Sequence, residues 1–183
     1  MNKSLKTLFV FNGIFVFAYY LVGPIFAIFV EGIGNTILNV SLVTSVALFS
    51  NTIFTYIVSR LGDRVKEKEY LLMAGYLIRA LVWASYTLVN NLQSLLILQV
   101  ILGIGQSCGT PSFSSIFAEH LDKGKYIKEY GSWHFVSNII GAVATLVGGF
   151  IASNFGFNTL FLIMSGLALI AFFGVLLKPR DLL

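Results

Sequence analysis

The residues best placed to do chemistry in this chain are few, and most of them stand inside long apolar runs. Arg79 is the one charge near the middle of such a run, Tyr70–Val89. A charge at that depth marks a functional site by default, because removing it from water is costly. Two roles are open for it: a structural bond to Gln99 or to backbone carbonyls, or a part in coupling. No Asp or Glu lies within any of the apolar runs, so proton coupling through a mid-membrane carboxylate is disfavoured. Cys108 is the single cysteine. It excludes an intrachain disulfide, offers no metal-ligand spacing, and reads as a buried structural thiol. No phosphate-binding glycine loop, His/Cys cluster or catalytic triad is recognisable. The chain is therefore expected to be no enzyme and no ATP-driven pump, and to hold neither metal nor cofactor.

Small residues form the other pattern. Gly105 and Gly109 stand four apart and share a helix face, and Gly141, Thr145 and Gly149 repeat that step. Such faces allow close backbone approach. Static packing and a sliding surface are both consistent with them.

The elements that must position these residues are set by composition. Of 183 residues, 57% are hydrophobic and only 11% charged, against about 25% charged in soluble domains. That little charge cannot coat a water-facing surface, so lipid must. A helix needs about 20 apolar residues to cross the hydrocarbon core. Six stretches qualify: Leu8–Val30, Leu38–Val58, Tyr70–Val89, Leu92–Phe117, Phe135–Ser153 and Thr159–Leu177. Backbone groups in lipid must be satisfied within the segment, which makes the spans helices. The expected fold is an all-α membrane protein, a single six-helix domain over residues 1–183. The first run, about 23 residues, exceeds the h-region of a signal peptide and lacks a cleavage-like end, so it reads as a retained helix.

Orientation follows from the basic residues. Arg60, Arg64, Lys66 and Lys68 fall between spans two and three, Lys123, Lys125 and Lys128 between four and five, and Lys3, Lys6, Lys178 and Arg180 at the ends. The opposite loops, 31–37, 90–91 and 154–158, carry none. The positive-inside rule places the basic side, and both termini, in the cytoplasm of a multi-pass plasma-membrane protein. The net charge of +4 is thus topological and does not indicate nucleic acid. Its partners are the bilayer and, at most, a weak attraction to anionic lipid.

Four segments carry a pattern in order along the chain: Gly62-Asp63-Arg64 with Lys68 after span two, Gly103, Gly105, Gly109 and Pro111 in span four, Gly148-Gly149 in span five, and Phe155-Gly156-Phe157-Asn158 before span six. Together they resemble motifs of the major facilitator superfamily. The loop Ser59-Arg-Leu-Gly62-Asp63-Arg64-Val-Lys66-Glu-Lys68 is similar to the family's signature loop through Gly62, Asp63, Arg64 and Lys68. Ser59 and Lys66 stand where that pattern usually has glycine. Span four resembles the family pattern through Gly103, Gly105, Gly109 and Pro111, with Gln99 in place of its arginine and Leu102 in place of its glutamine. Span five is similar to the antiporter motif through Gly148 and Gly149, with Thr145 replacing its proline. The stretch Phe155-Gly156-Phe157-Asn158 resembles the entry to span six. The resemblance covers essentially the whole chain.

It implies half of a twelve-span transporter whose halves are related by an axis along the membrane normal. Two like-oriented copies can then replace two halves, so a parallel homodimer is expected. A different half as partner, or a piece of a longer transporter, are the alternatives. On this reading spans one, two, four and five line a central cavity. The substrate-cavity candidates are Tyr19, Tyr20, Ser50, Asn51, Gln99, Gln106 and Asn138, neutral groups that interhelical bonding would explain equally well. Pro24 and Pro111 are possible kinks, and Glu31 caps the far end of span one. The latch candidates are Gly62, Asp63, Arg64 and Lys68, with Asp63 approaching Ser132 and His134 at the start of the partner's span five. The implied function is secondary transport of a small neutral or amphipathic solute by alternating access. A scaffold or accessory subunit is the alternative.

Overall fold

The computed structural model describes residues 3–34, 36–62 and 67–177. Among them every regular element is helical: α1 (Lys3–Val22), a 3-10 turn (Gly23–Ile25), α2 (Phe26–Gly34), α3 (Ile37–Gly62), α4 (Lys68–Ser85), a second 3-10 turn (Tyr86–Leu88), α5 (Leu92–Glu119) and α6 (Tyr126–Leu176). Five of the resulting helices are long and apolar enough to cross a membrane. The chain is an all-α membrane protein.

The helix ends have local causes. Thr36 accepts the Asn39 amide at 3.3 Å at the start of α3, and Asn91 accepts the Ser94 amide at 2.8 Å at the start of α5. Both are side-chain oxygens satisfying donors that a first turn leaves free. Pro24 lies in the 3-10 turn that interrupts the first crossing, as a residue without an amide N–H would. Pro111 lies inside α5, which runs on to Glu119 across it.

The last helix differs most from the sequence reading. Residues 154–158, expected as a loop, are helical except for Gly156, whose φ of 82° and ψ of 168° break α6 into two arms, 126–155 and 157–176. That backbone region is open essentially to glycine alone. The arms double back. Trp133 packs at a tilt against Phe9, and Gly148 faces the Leu21 carbonyl, so the first arm runs parallel to α1. In the second arm Phe161 packs on Phe29 and Gly174 on Phe11, the reverse order. The 118–134 connection is also shorter than expected, since α6 starts at Tyr126, nine residues before the predicted span. Trp133, 8% exposed, explains the extension by joining Phe9, Phe113 and Phe117 in an aromatic cluster with Tyr130. A second cluster, Phe26, Phe29, Tyr86, Phe157 and Phe161, closes the other end of the bundle.

Neighbours are settled by direct contacts. The Ser50 hydroxyl donates to the Val100 carbonyl at 2.7 Å, joining α3 to α5. Phe9 and Phe117 join α5 to α1, and Tyr20 lies over Gly141, joining α1 to the first arm of α6. Helix α4 packs behind α5 and against α6. Half of its apolar window is buried, against 11% for α3.

The glycines decide how closely these helices meet. A methyl added at Gly148 would run into the Leu21 backbone carbonyl, whereas one at Gly149 would meet nothing within 4 Å. Gly148→Ala is therefore expected to lower stability by about 1–3 kcal/mol, the usual range for overpacking. Gly149→Ala is expected to be neutral or slightly stabilising through helix propensity. Thermal unfolding in detergent, followed by circular dichroism, checks the pair; equal effects would refute the packing argument.

Candidate functional site

The order α3, α5, α1, first arm of α6 gives the four helices expected at a central path one continuous run. The polar candidates divide along it. Tyr19 and Tyr20 are 44% and 39% exposed, with rings edge to face at 5.5 Å. Tyr20 also covers Gly141, and the Thr145 hydroxyl donates to the Gly141 carbonyl at 2.9 Å while lying 3.4 Å from the Tyr20 carbonyl. That second carbonyl is the one Pro24 cannot bond, because it stands four residues before a proline. Asn138, two turns toward the basic end from Thr145, is exposed, and Gln106 on α5 is half-buried. These residues leave polar groups accessible on α1, α5 and α6.

Two candidates turn the other way. Ser50 is 6% exposed and fills the space left by Gly103, so its hydroxyl is a strut between α3 and α5. Gln99, 1% exposed, donates through Nε2 to the Tyr86 hydroxyl at 3.0 Å and not to Arg79. Asn51 is half-buried and accepts from Thr55 at 3.2 Å.

Sequence reasoning missed the free face of α3. Ser41, Thr44, Ser45, Thr52 and Ser59 are all exposed. Ser41, Ser45, Thr52 and Ser59 follow one another with Leu48 and Thr55 at steps of three and four, a single stripe that Thr44 flanks. Ser41, Thr44, Thr52 and Ser59 donate to carbonyls within their own helix, which leaves acceptor lone pairs pointing away from the bundle. The spacing was a readable signal. Each hydroxyl alone is tolerated in lipid, so only the period of the set distinguishes it.

Arg79 reaches from the rear helix α4 into this arrangement and is 5% exposed. Its guanidinium lies 4.6 Å from the Phe15 ring centroid on α1, and Nη2 donates to the Gly105 carbonyl at 3.1 Å and the Thr110 hydroxyl at 3.5 Å on α5. Gly109 provides the seat: a methyl there would collide with Nη2. Gly105 and Gly109 therefore lie at a helix contact, as does Gly141, while Gly149 faces open space and its neighbour Gly148 makes the contact instead.

Of the latch candidates, Gly62 is the last residue of α3, and Asp63 and Arg64 lie outside the described residues. Lys68 opens α4, donates to the Ser115 hydroxyl at 2.8 Å and pairs with the Glu119 carboxylate, tying two helices of its own chain. Ser132 and His134 are exposed on α6, and so is Glu31 at the end of α2. An apolar groove of about 450 Å³ opens between α1 and α6, lined by Phe9, Gly13, Phe17, Val136, Ile140 and Leu167 among others. It holds no hydrogen-bonding side chain.

A model of the Major Facilitator Superfamily matches residues 8–182. The chain is 24% identical over 146 residues to the uncharacterized MFS-type transporter YitZ of Bacillus subtilis strain 168, covering 79% of this chain and 88% of that protein. It is 24% identical over 174 residues to the multidrug resistance protein MdtG of Klebsiella pneumoniae strain 342, covering 91% of this chain and 41% of that one. Similarity to the multi-drug resistance efflux pump PmrA of Streptococcus pneumoniae is 27% over 157 residues, 82% of this chain and 38% of the pump. The chain thus spans about two fifths of the two resistance proteins.

The buried pair Gln99–Tyr86 separates a structural amide from a solute contact. Tyr86→Phe strands the Gln99 amide and is expected to cost about 1–3 kcal/mol, the penalty for an unsatisfied buried group. Adding Gln99→Leu removes the stranded group and should restore most of that loss. Thermal unfolding of the two single variants and the double variant gives the coupling; strict additivity would show that the pair does not interact.

Proposed function

The chain belongs to the Major Facilitator Superfamily, and we propose that it is a secondary transporter, assembled as a parallel homodimer, that moves a small neutral or amphipathic solute by alternating access. Each copy supplies one six-crossing half, with the two arms of α6 as the fifth and sixth crossings. The termini and basic residues lie in the cytoplasm and the bundle in the plasma membrane.

The observation that carries this reading is the unshared polar face. Lipid tails offer nothing to the hydroxyl stripe of α3 or to Gln106, Tyr19, Tyr20 and Asn138, whereas a second bundle facing them would enclose a hydrogen-bonding path. The lengths agree, since one chain spans about two fifths of MdtG and PmrA. The names of those relatives, which speak of multidrug resistance and efflux, support an amphipathic solute. Rings at Tyr19 and Tyr20 give such a solute apolar surface, and the amides give it a few orienting bonds. The family-type loop contributes the latch: Asp63 of one copy is placed near Ser132 and His134 of the other, while Lys68 and Glu119 keep the loop's own end fixed.

Crosslinking and flux test this together. In a Cys108→Ser background, Thr52→Cys on the α3 stripe is expected to give a covalent dimer in membranes with a short bifunctional thiol reagent. Leu81→Cys on the exposed flank of α4 is expected to give none. In vesicles, Gln106→Ala is expected to slow uptake about tenfold, the effect of losing a hydrogen bond to solute, with unfolding temperature unchanged. A strictly monomeric chain, or no flux across a broad panel of amphipathic compounds, would defeat the proposal.

A further inference from the structure

Arg79 holds more hydrogen-bonding capacity than the chain uses. A guanidinium carries five N–H donors. Here Nη2 alone is engaged, by the Gly105 carbonyl and the Thr110 hydroxyl. Nε is buried and has no hydrogen-bond partner among the described residues.

Its charge is uncompensated as well. The ion pairs among the described residues are Lys68–Glu119 and Lys125–Asp122. The acidic residues of the whole sequence are Glu31, Asp63, Glu67, Glu69, Glu119, Asp122, Glu129 and Asp181, all outside the apolar runs. Glu69 is the nearest before Arg79 on α4, about 15 Å away along the helix at 1.5 Å per residue. A second copy brings the same residues at the same depths, so dimerisation supplies no counter-charge either. A buried cation without a partner is costly, yet this one is given a fitted seat. Gly109 lacks the methyl that would displace Nη2, Gly75 brings the α4 backbone against that glycine, and the Phe15 ring lies within cation–π distance of the charge. Thr110, which Nη2 touches, is exposed on α5 and is the edge of the seat that a ligand would meet first.

We propose that Arg79, seated on Gly109 and Phe15 beside Thr110, binds the carboxylate head of an amphipathic solute. The site deepens the transporter reading and rests on it for the solute's route of access. A carboxylate accepts paired N–H bonds from a guanidinium and neutralises the charge that the fold leaves open. Thr110 adds a hydroxyl donor at the mouth. Tyr19 lies on the same open side of α1, one turn beyond Phe15, where it can cover the solute's apolar body.

Trp83 stacks on Phe15 at 5.6 Å between centroids and reports on the seat once the only other tryptophan, Trp133, is replaced in a Trp133→Phe background. The probe is benzoate, with benzamide as its uncharged counterpart, added to the protein in phosphatidylcholine nanodiscs. Benzoate is expected to change Trp83 emission saturably, and benzamide to bind at least tenfold more weakly. Arg79→Gln and Gly109→Ala, the second of which keeps the charge but blocks its seat, are each expected to weaken benzoate at least tenfold. Arg79→Lys retains the charge without the planar fork and falls between.

Unchanged affinity in folded Arg79→Gln or Gly109→Ala overturns the site. So does equal binding of the amide, or no saturable binding by the parent protein. Competition by added phosphatidylglycerol would assign the seat to a lipid head group and overturn the solute assignment. Should benzoate fail while solute flux persists in vesicles, the site falls and the transporter reading stands. Should benzoate bind while no compound is moved, the transporter reading falls and the anion site stands.

Discussion

A bilayer interior provides no hydrogen bonds, so each polar group that enters it must find its partners within protein or water. The contact of α4 with α5 shows how this chain meets that demand. Gly75 and Gly109 let two backbones approach without intervening side chains, and the guanidinium of Arg79 lies in the recess beside Gly105 and Gly109. Phe15 closes it from α1. One residue from a rear helix is thereby in touch with the two helices at the middle of the open face. Ser50 against Gly103 repeats the device between α3 and α5, and Leu21 against Gly148 repeats it between α1 and α6. Small residues in this bundle are places where a neighbour's polar group is received.

Much of this was readable beforehand. The apolar runs located the crossings, because their length is set by the thickness of the hydrocarbon. Gly105 and Gly109 were recognised as a contact face, because a four-residue step fixes a common side of a helix. What the sequence left open was which side of each helix faces inward. Ser50 and Asn51 are adjacent in α3, and only Ser50 turns toward α5. Gln99 and Gln106 are both polar residues of α5, and Tyr86 claims the first. Gly148 and Gly149 are neighbours as well, and it is Gly148 that faces Leu21. Such one-residue choices depend on helix rotation, which tertiary packing sets and composition does not. The nine-residue extension at the start of α6 escaped notice for a different reason. Its polar exterior looks like loop, and the aromatic ring cluster that anchors it is assembled from distant segments.

The helices at the front contrast with the one behind. Helix α4 is half buried by its own chain, and α3 is nearly bare. A helix with one spare face and hydroxyls along that face is poorly suited to lipid and well suited to water or another protein. The chain spans about two fifths of its longer relatives MdtG and PmrA. The same unfilled demand appears at Arg79, where a donor-rich group ends beside an exposed hydroxyl.

The break at Gly156 has a mechanical consequence. Most membrane hairpins are joined by several residues of slack, which let one leg slide or tilt while the other stays in place. Here a single residue turns the chain around, with helix on both sides. The two legs therefore form a fork with no slack at its bend, and both prongs pack against α1. The fork and α1 are thereby one packed unit, and α3 is the helix least held by the rest of the chain.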